Sequence, residues 1–343
     1  MYYGDLRDKR LDADRSDIAD SLLRLRQGLN GVPEKKPGGM LLATWNVREF
    51  GGNKYGGRID EALYCIAETI NRFDIVAIQE VRPDLRALDR VMQLLGRDWD
   101  RIFTDVSYAE GGNHERLAFV WDRRKVRFTG LAGELVLPKV ESQKMAQVAR
   151  TPFICGFQAG WAKFNLCTVH IYYGTSVPNE PRRVEEIKEI GKLLSGKAKD
   201  YINVGRNDKK SYSPENLVLL GDFNIFKKTD KTFEALSESG FVLPAGLMKD
   251  ELTGSNVARD KFYDQIAFYK KVSGIKESAA GIFDFYEHVF RESDAERLAA
   301  KGKPADRSKF KDWRTYQMSD HLVMWAEFLV DNADAYLKDL TRV

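Results

Sequence analysis

Apolar runs along this 343-residue chain repeatedly end in residues that can do chemistry. "LLATWN" closes on Asn46, "IVAIQE" on Glu80, "NLCTVH" on His170 and "NLVLLGDFN" on Asp222 and Asn224, while "QMSDH" sets Asp320 and His321 at the head of another run. Asp222 and Asn224 stand two apart, so in an extended chain their side chains point the same way. Glu80, Asp222 and Asp320 offer anionic oxygens, and Asn46 and Asn224 offer amide oxygens. That oxygen-dominated set suits Mg²⁺ or Mn²⁺, whereas zinc usually takes His and Cys. Only four histidines occur in the chain. His170 and His321 stand beside the candidate cation ligands, where an imidazole can move protons near neutral pH. His114 and His288 lack that placement. A strand-end Asp by itself is ordinarily a cap or turn former. The weight comes from the same chemistry recurring at several strand ends, since buried strands hold their ends rigidly and several ends can share one rim.

Elements able to position these residues are legible in the periodicity. Ile59, Ala62, Leu63, Ile66 and Ile70 follow helical spacing and lead directly into the short apolar strand "DIVAIQE". Leu85, Leu88, Val91, Met92 and Leu95 mark the next helix, and "RLAFVWD", "PFICGFQ" and "WAKFNLCTVHI" read as strands. A further helix is expected over 180–195, with strands at 216–220, 262–269 and 321–329. An N-terminal helix carrying Ile18, Leu22, Leu25 and Leu29, with Ser16 as its cap, is set off by Pro33, Pro37 and the glycine pair 38–39. The alternation predicts a mixed α/β fold. We expect a helical extension over 1–39, a main domain over 40–332 interrupted by a charged, partly helical insertion at 281–318, and a tail at 333–343. Within that insertion, "IFDFYEHVF" reads as an amphipathic helix with its aromatic residues inside.

Hydrophobic residues make up 43% of the chain, enough for a sizeable core, and no apolar run reaches the ~18–20 residues of a membrane helix. Lys plus Arg number 54 against 51 Asp plus Glu, so the net charge of +3 does not by itself select a polyanionic partner. Basic clusters do occur, at 122–127, 206–210, 226–231 and 301–314, and the third follows "GDFN" directly, which places Lys227 and Lys228 where a phosphate backbone would pass. Three widely spaced cysteines, Cys65, Cys155 and Cys167, do not form a zinc or disulfide pattern. With a charged N-terminus in place of a secretory signal, the expectation is a cytoplasmic monomer.

Taken in order, "TWNV", "IQEVR", "HERLAFVWD", "TVH", "GDFN", "YDQI" and "SDH" resemble the endonuclease/exonuclease/phosphatase superfamily, and more narrowly its deoxyribonuclease I-like branch. The resemblance implies a four-layer sandwich: two mixed β-sheets packed face to face with helices outside. It implies a phosphodiester hydrolase, a nuclease acting on DNA with Mg²⁺ or Mn²⁺, in which water attacks the phosphorus in line. Asp264 would orient His321 and Glu115 would orient His170, as in other carboxylate–imidazole pairs, with acid and base unassigned between the two. Glu80 and Asn46 would hold the cation, Asp320 would complete that site, and Asp222 with Asn224 would position the water or a second ion. Arg82, directly after the metal-site motif, and Lys227 and Lys228 would meet the substrate. "TGSNVARDKFYDQI", which resembles the family's Thr-rich approach to the Asp that partners the last His, adds Thr253, Ser255 and Asn256 to that list. The chain departs from the branch at Gln265, where nuclease relatives often carry Arg, and at Ile171, where a small hydroxyl residue is common; Tyr172 and Tyr173 follow. A phosphoesterase for a lipid or inositol phosphate is the alternative. A catalytically silent binding module would have no physical need for both pairs.

Overall fold

The computed structural model describes residues 1–11, 14–138, 147–207, 216–269, 276–331 and 333–341. Helix α1 (Arg15–Leu29) precedes β1 (Gly39–Phe50), α2 (Asp60–Asn71), β2 (Ile75–Val81), α3 (Arg86–Leu95), β3 (Trp99–Phe103) and β4 (Arg116–Asp122). The chain then builds β5 (Val126–Glu134), β6 (Phe153–Ala159), β7 (Ala162–His170), α4 (Pro181–Asn207), β8 (Asn216–Asp222), α5 (Lys231–Glu238), β9 (Phe241–Val242) and β10 (Asp264–Tyr269). It returns through β11 (Lys276–Phe283), α6 (Ala295–Ala299), α7 (Arg307–Gln317), β12 (Val323–Leu329) and α8 (Ala333–Leu340).

These strands form two six-stranded mixed sheets, ordered β11-β12-β1-β2-β4-β3 and β5-β6-β7-β8-β10-β9. Each contains one parallel pair, β1–β2 and β7–β8, and each parallel pair is bridged by a helix, α2 or α4. In such units ligands gather at the carboxyl ends of the strands. Alternation along each strand sorts the layers. Met40, Leu42, Ile75, Ala77, Leu117 and Phe119 of the first sheet meet Phe157, Phe164, Leu166, Val218, Leu220 and Ile266 of the second in one buried core. The intervening residues Leu41, Ala43, Trp45, Val76 and Ile78 share a second core with α1, α2 and α3, and Cys167, Val169 and Leu219 share a third with α4 and α5. All three cysteines are buried and free, as small apolar side chains are. Among the described residues no helix is long and apolar enough to cross a membrane.

Boundaries shift where tertiary packing overrides local pattern. α4 continues well beyond the expected 195, to Asn207. α1 starts at Arg15, which puts Ser16 in its first turn, with Asp14 at the cap position. The stretch 281–318 opens with the last residues of β11 before α6 and α7. Its "IFDFYEHVF" segment buries Phe285, Tyr286, Val289 and Phe290, but it does so through a single tight turn, Phe285–Glu287, in place of the expected helix. Of the basic cluster at 206–210, residues 208–210 lie outside the described residues.

Candidate active site

The sheet faces that hold the inner core also aim the polar residues. On β1 the inward series Met40, Leu42, Thr44 ends at Asn46; on β7 Phe164, Leu166, Thr168 ends at His170; on β8 Val218, Leu220 ends at Asp222. Asp264 begins the inward series of β10, and Glu115 stands one residue before β4. Strand register completes the alignment, since His170 is opposite Asp222 across β7–β8 and Asp264 is opposite Asp222 across β8–β10. Just beneath them a polar layer ties the two sheets together: Gln79 Nε2 donates to Thr44 Oγ1 (3.1 Å) and to Thr168 Oγ1 (2.9 Å). That layer satisfies buried polar groups and separates the apolar core from the site.

Two imidazole–carboxylate pairs converge on one carboxylate. His170 Nδ1 lies 2.5 Å from Glu115 Oε1, and His321 Nδ1 lies 2.8 Å from Asp264 Oδ2. The opposite ring nitrogens face Asp222 Oδ2, at 3.4 Å from His170 Nε2 and 3.6 Å from His321 Nε2. All five residues are buried. Their supports differ. Arg150 Nε stands 2.7 Å from Glu115 Oε1, whereas Asp264 Oδ2 accepts from the Ser255 hydroxyl at 2.7 Å. Burial, helped by Arg150, lowers His170 to about 4, and burial pushes Glu115 up to about 7 against the pull of Arg150. For His321, burial disfavours the charged ring, but Asp264 and Asp222 outweigh it and raise the imidazole well above its ordinary value. Burial also raises Asp222, with both imidazoles opposing.

Beside the pairs lies an oxygen-rich corner. Asn46 Nδ2 donates to Glu80 Oε1 and to Asp222 Oδ2, both at 3.0 Å, which leaves Asn46 Oδ1 buried with no hydrogen-bond partner among the described residues. Glu80 is aimed there by its backbone. It sits at φ +62°, a conformation costing about 1–3 kcal/mol for a non-glycine residue. The register of β2 slips around it, so that Val81 joins Ile78 on the helix-facing side. Its Oε2 accepts from the Glu49 N–H at 2.8 Å. An orphaned amide oxygen beside a carboxylate fits a hard divalent cation, with Asn46 and Glu80 as the residues to hold it.

No protein-family model and no curated protein matches this chain. Solved structures do. The human Nocturnin catalytic domain with bound sulfate is 14% identical over 86% of this chain and 96% of that one, with a TM-score of 0.53. An endonuclease/exonuclease/phosphatase family protein from Bacteroides thetaiotaomicron is 17% identical over 86% and 99%, also at 0.53. The chain has the deoxyribonuclease I-like fold of the endonuclease/exonuclease/phosphatase superfamily. A mannosyl-6-phosphatase from Bacteroides thetaiotaomicron, 17% identical over 84% and 99% with a TM-score of 0.53, shares it.

Within that fold, several residues expected to line the site stand behind it, at its edge or away from it. Asp320 turns away from Asn46 and Glu80: its side chain is 44% exposed and lies 3.7 Å from Arg48 Nε. The next residue, His321, carries the buried ring, and neighbours in an extended segment face opposite ways. Asn224 does not share the direction of Asp222, because β8 ends at Asp222 and Asn224 adopts φ +52°; its Nδ2 donates to the Ile171 carbonyl at 2.8 Å, and its N–H donates to Asp222 Oδ1 at 2.9 Å. Ser255, expected against substrate, is buried behind Asp264. Asn256 is occupied by its own loop, donating to Asp260 Oδ1 and accepting from the N–H groups of Asp260 and Lys261. Thr253 is exposed in a different groove, with Gly28 and His288. Lys228 Nζ points away to the Leu247 carbonyl at 2.8 Å, whereas Lys227 is exposed. Arg82 lines an open cleft of about 890 Å³ with Glu49, Tyr108 and His114, where it donates to the Asn113 carbonyl and faces Glu49 at 3.6 Å.

Sequence reasoning missed Arg150, Ser319 and Gln79. Ser319 Oγ accepts from the N–H of His321 at 3.0 Å and donates to the Asn46 carbonyl, linking the two ends of the site. Gln79 was findable as a polar residue inside the apolar run "IVAIQE". Arg150, in "VARTPF", carries no local signal at all.

Proposed function

We propose that this chain is a divalent-metal-dependent phosphodiester hydrolase, a nuclease acting on DNA, with residues 40–332 as its catalytic domain. The observation that carries the reading is the pair of imidazoles, contributed by opposite sheets, each with its Nδ1 on a carboxylate and its Nε2 toward Asp222. Phosphodiester hydrolysis removes a proton from the attacking water and delivers one to the leaving oxygen. His170, held neutral, is suited to accept a proton. His321, held cationic, is suited to donate one, with Asp264 fixing its orientation. Asp222 lies between them, where it can orient the attacking water. Asn46 and Glu80 would hold Mg²⁺ or Mn²⁺, which when bound would offset charge on the phosphoryl oxygens.

Supercoiled plasmid, linear duplex, single-stranded DNA, RNA and phosphoinositides, each incubated with and without Mg²⁺, test this directly. Hydrolysis of DNA is expected only with the cation, and Glu80→Gln should abolish most of it. Full activity in excess chelator would remove the cation from the account. A second reading, a phosphatase for a small phosphate, is favoured by one observation: Lys228 is tied to backbone carbonyls and Arg82 to the Asn113 carbonyl, which leaves fewer cationic side chains free to reach the phosphates of a long polyanion. Efficient turnover of a sugar or inositol phosphate, with weak binding to every nucleic acid at low salt, would establish it.

A further inference from the structure

Tyr172 and Tyr173, which follow the His170 strand, have no part in the chemistry above, yet the loop carrying them is firmly built. Arg183, in the first turn of α4, is fully buried and donates to the carbonyls of Tyr172 (3.2 Å), Thr175 (2.9 Å), Val177 (3.2 Å), Pro178 (3.3 Å) and Tyr173. No carboxylate among the described residues lies within ion-pair distance of its guanidinium, which is held directly by these carbonyls while Glu180 acts on it from further off. The loop it organises holds Tyr173, 39% exposed, edge-on to Tyr263, with ring centroids 6.4 Å apart and planes at 82°. Both rings rest on Phe226, at 6.2 and 5.6 Å, and Tyr263 lies 5.4 Å from the His321 ring at a tilt of 32°. An aromatic wall therefore runs from the surface to an imidazole of the site.

Two features say what this wall suits. Exposed aromatic rings stack any planar base without reading its edge, and adjacent cations take the phosphates on either side. Here Lys227 is exposed directly after Phe226, and Lys261 Nζ stands 5.1 Å from the Phe226 ring. The buried Arg183 cation, 5.4 Å from the Tyr173 ring and 4.9 Å from Phe226, adds a positive field behind the wall that favours an anionic ligand over a neutral sugar.

We propose that Tyr173 and Tyr263 form a base-stacking subsite, so that the substrate presents an unpaired nucleobase beside the phosphate being cleaved, as single-stranded nucleic acid or a free nucleotide does. The placement of that phosphate rests on the hydrolase reading; recognition of the base does not.

Equilibrium titration therefore comes first, with dAMP against deoxyribose 5-phosphate, and a short single strand against the same strand made abasic. The wild type should prefer the base-bearing member of each pair by about tenfold, the worth of one stacked base. Tyr173→Ala should erase the preference and Tyr173→Trp should keep it, while cleavage of the abasic strand stays within about twofold in both variants and the affinity for intact duplex does not change. Equal wild-type affinity for dAMP and deoxyribose 5-phosphate, or a Tyr173→Ala loss shared by both, overturns the subsite. If no phosphodiester is cleaved with Mg²⁺ or Mn²⁺, the hydrolase reading falls instead, and the titration still decides the subsite.

Discussion

His170 and His321 present the same atom to the same partner, Nε2 to Asp222 Oδ2 at 3.4 and 3.6 Å, but their surroundings hold them in opposite charge states. Behind His170 stands a carboxylate already claimed by a buried guanidinium, so little of Glu115's charge is left to stabilise an imidazolium. Behind His321 stands Asp264, whose carboxylate has, besides the imidazole, a neutral hydroxyl as its hydrogen-bond support among the described residues. Burial penalises charge on both rings, and the partner's remaining negative charge decides which ring overcomes it. The lesson is that a carboxylate–imidazole motif does not specify a protonation state; the group one step further back does.

The sharpest way to break this comparison is kinetic. Asp264→Asn should lower turnover on the order of ~10⁴-fold, as amidating the orienting Asp of a triad does, because Asp264 orients His321 and is the foremost of the carboxylates that keep it charged. Glu115→Gln should cost less, about 10²–10³-fold, within the range of a lost general base, since His170 is neutral in either case. Equal losses from the two substitutions, measured as kcat on a phosphodiester with well-folded protein, would mean that the pairs are equivalent.

Stability should separate them in the other direction. Arg150→Met leaves the Glu115 carboxylate buried without its cation and should cost about 3–5 kcal/mol, read by urea denaturation. Ser255→Ala removes the hydroxyl's bond to the Asp264 carboxylate and the acceptor of the Asp264 N–H, and should cost about 1.5–3 kcal/mol. If Ser255→Ala proved the more damaging, the support assigned to the Glu115 pair would be wrong.

The smallest effect is the pH dependence of stability in metal-free protein. An unfolded histidine takes its proton near about 6.5, but folded His170 takes it only near 4, so stability drains away as pH falls through that interval, at a slope approaching about 1.4 kcal/mol per pH unit. His170→Gln should flatten that decline. His321 is raised, so its contribution is complete below about 6.5 and fades as pH climbs through its elevated value. The gap between wild type and His321→Gln should accordingly narrow on the alkaline side. Denaturation midpoints in chelator from pH 4 to 9 check both signs, and parallel slopes for the two variants would remove the contrast.

Much of this arrangement was legible beforehand, and the reason is specific. β7 and β8 are buried strands whose successive side chains take opposite faces, so Leu166 and Leu220 on the inner core tell which way His170 and Asp222 point. Glu80 was legible as a residue but not as a geometry, because its direction depends on a left-handed backbone that slips the register of β2. Asp320 and Asn224 were misplaced for the same kind of reason, since each lies just outside a strand, and Ser255 sits in the long connection before β10; in such segments periodicity no longer carries information. Lys228 shows the limit for long side chains, whose flexible stem reaches whichever acceptor is near, here the Leu247 carbonyl.

What the sequence by itself determined is the set of buried strands, the face each presents and the residue types at their ends, because those follow from local periodicity and side-chain chemistry. Only the tertiary structure decided which of those ends share one Asp222 oxygen, that Arg150 and Ser255 stand behind the two carboxylates, and that Tyr263 lies against His321. Contacts between residues far apart in the chain depend on how the sheets pack, and a buried group's charge depends on every neighbour that packing brings within a few ångströms.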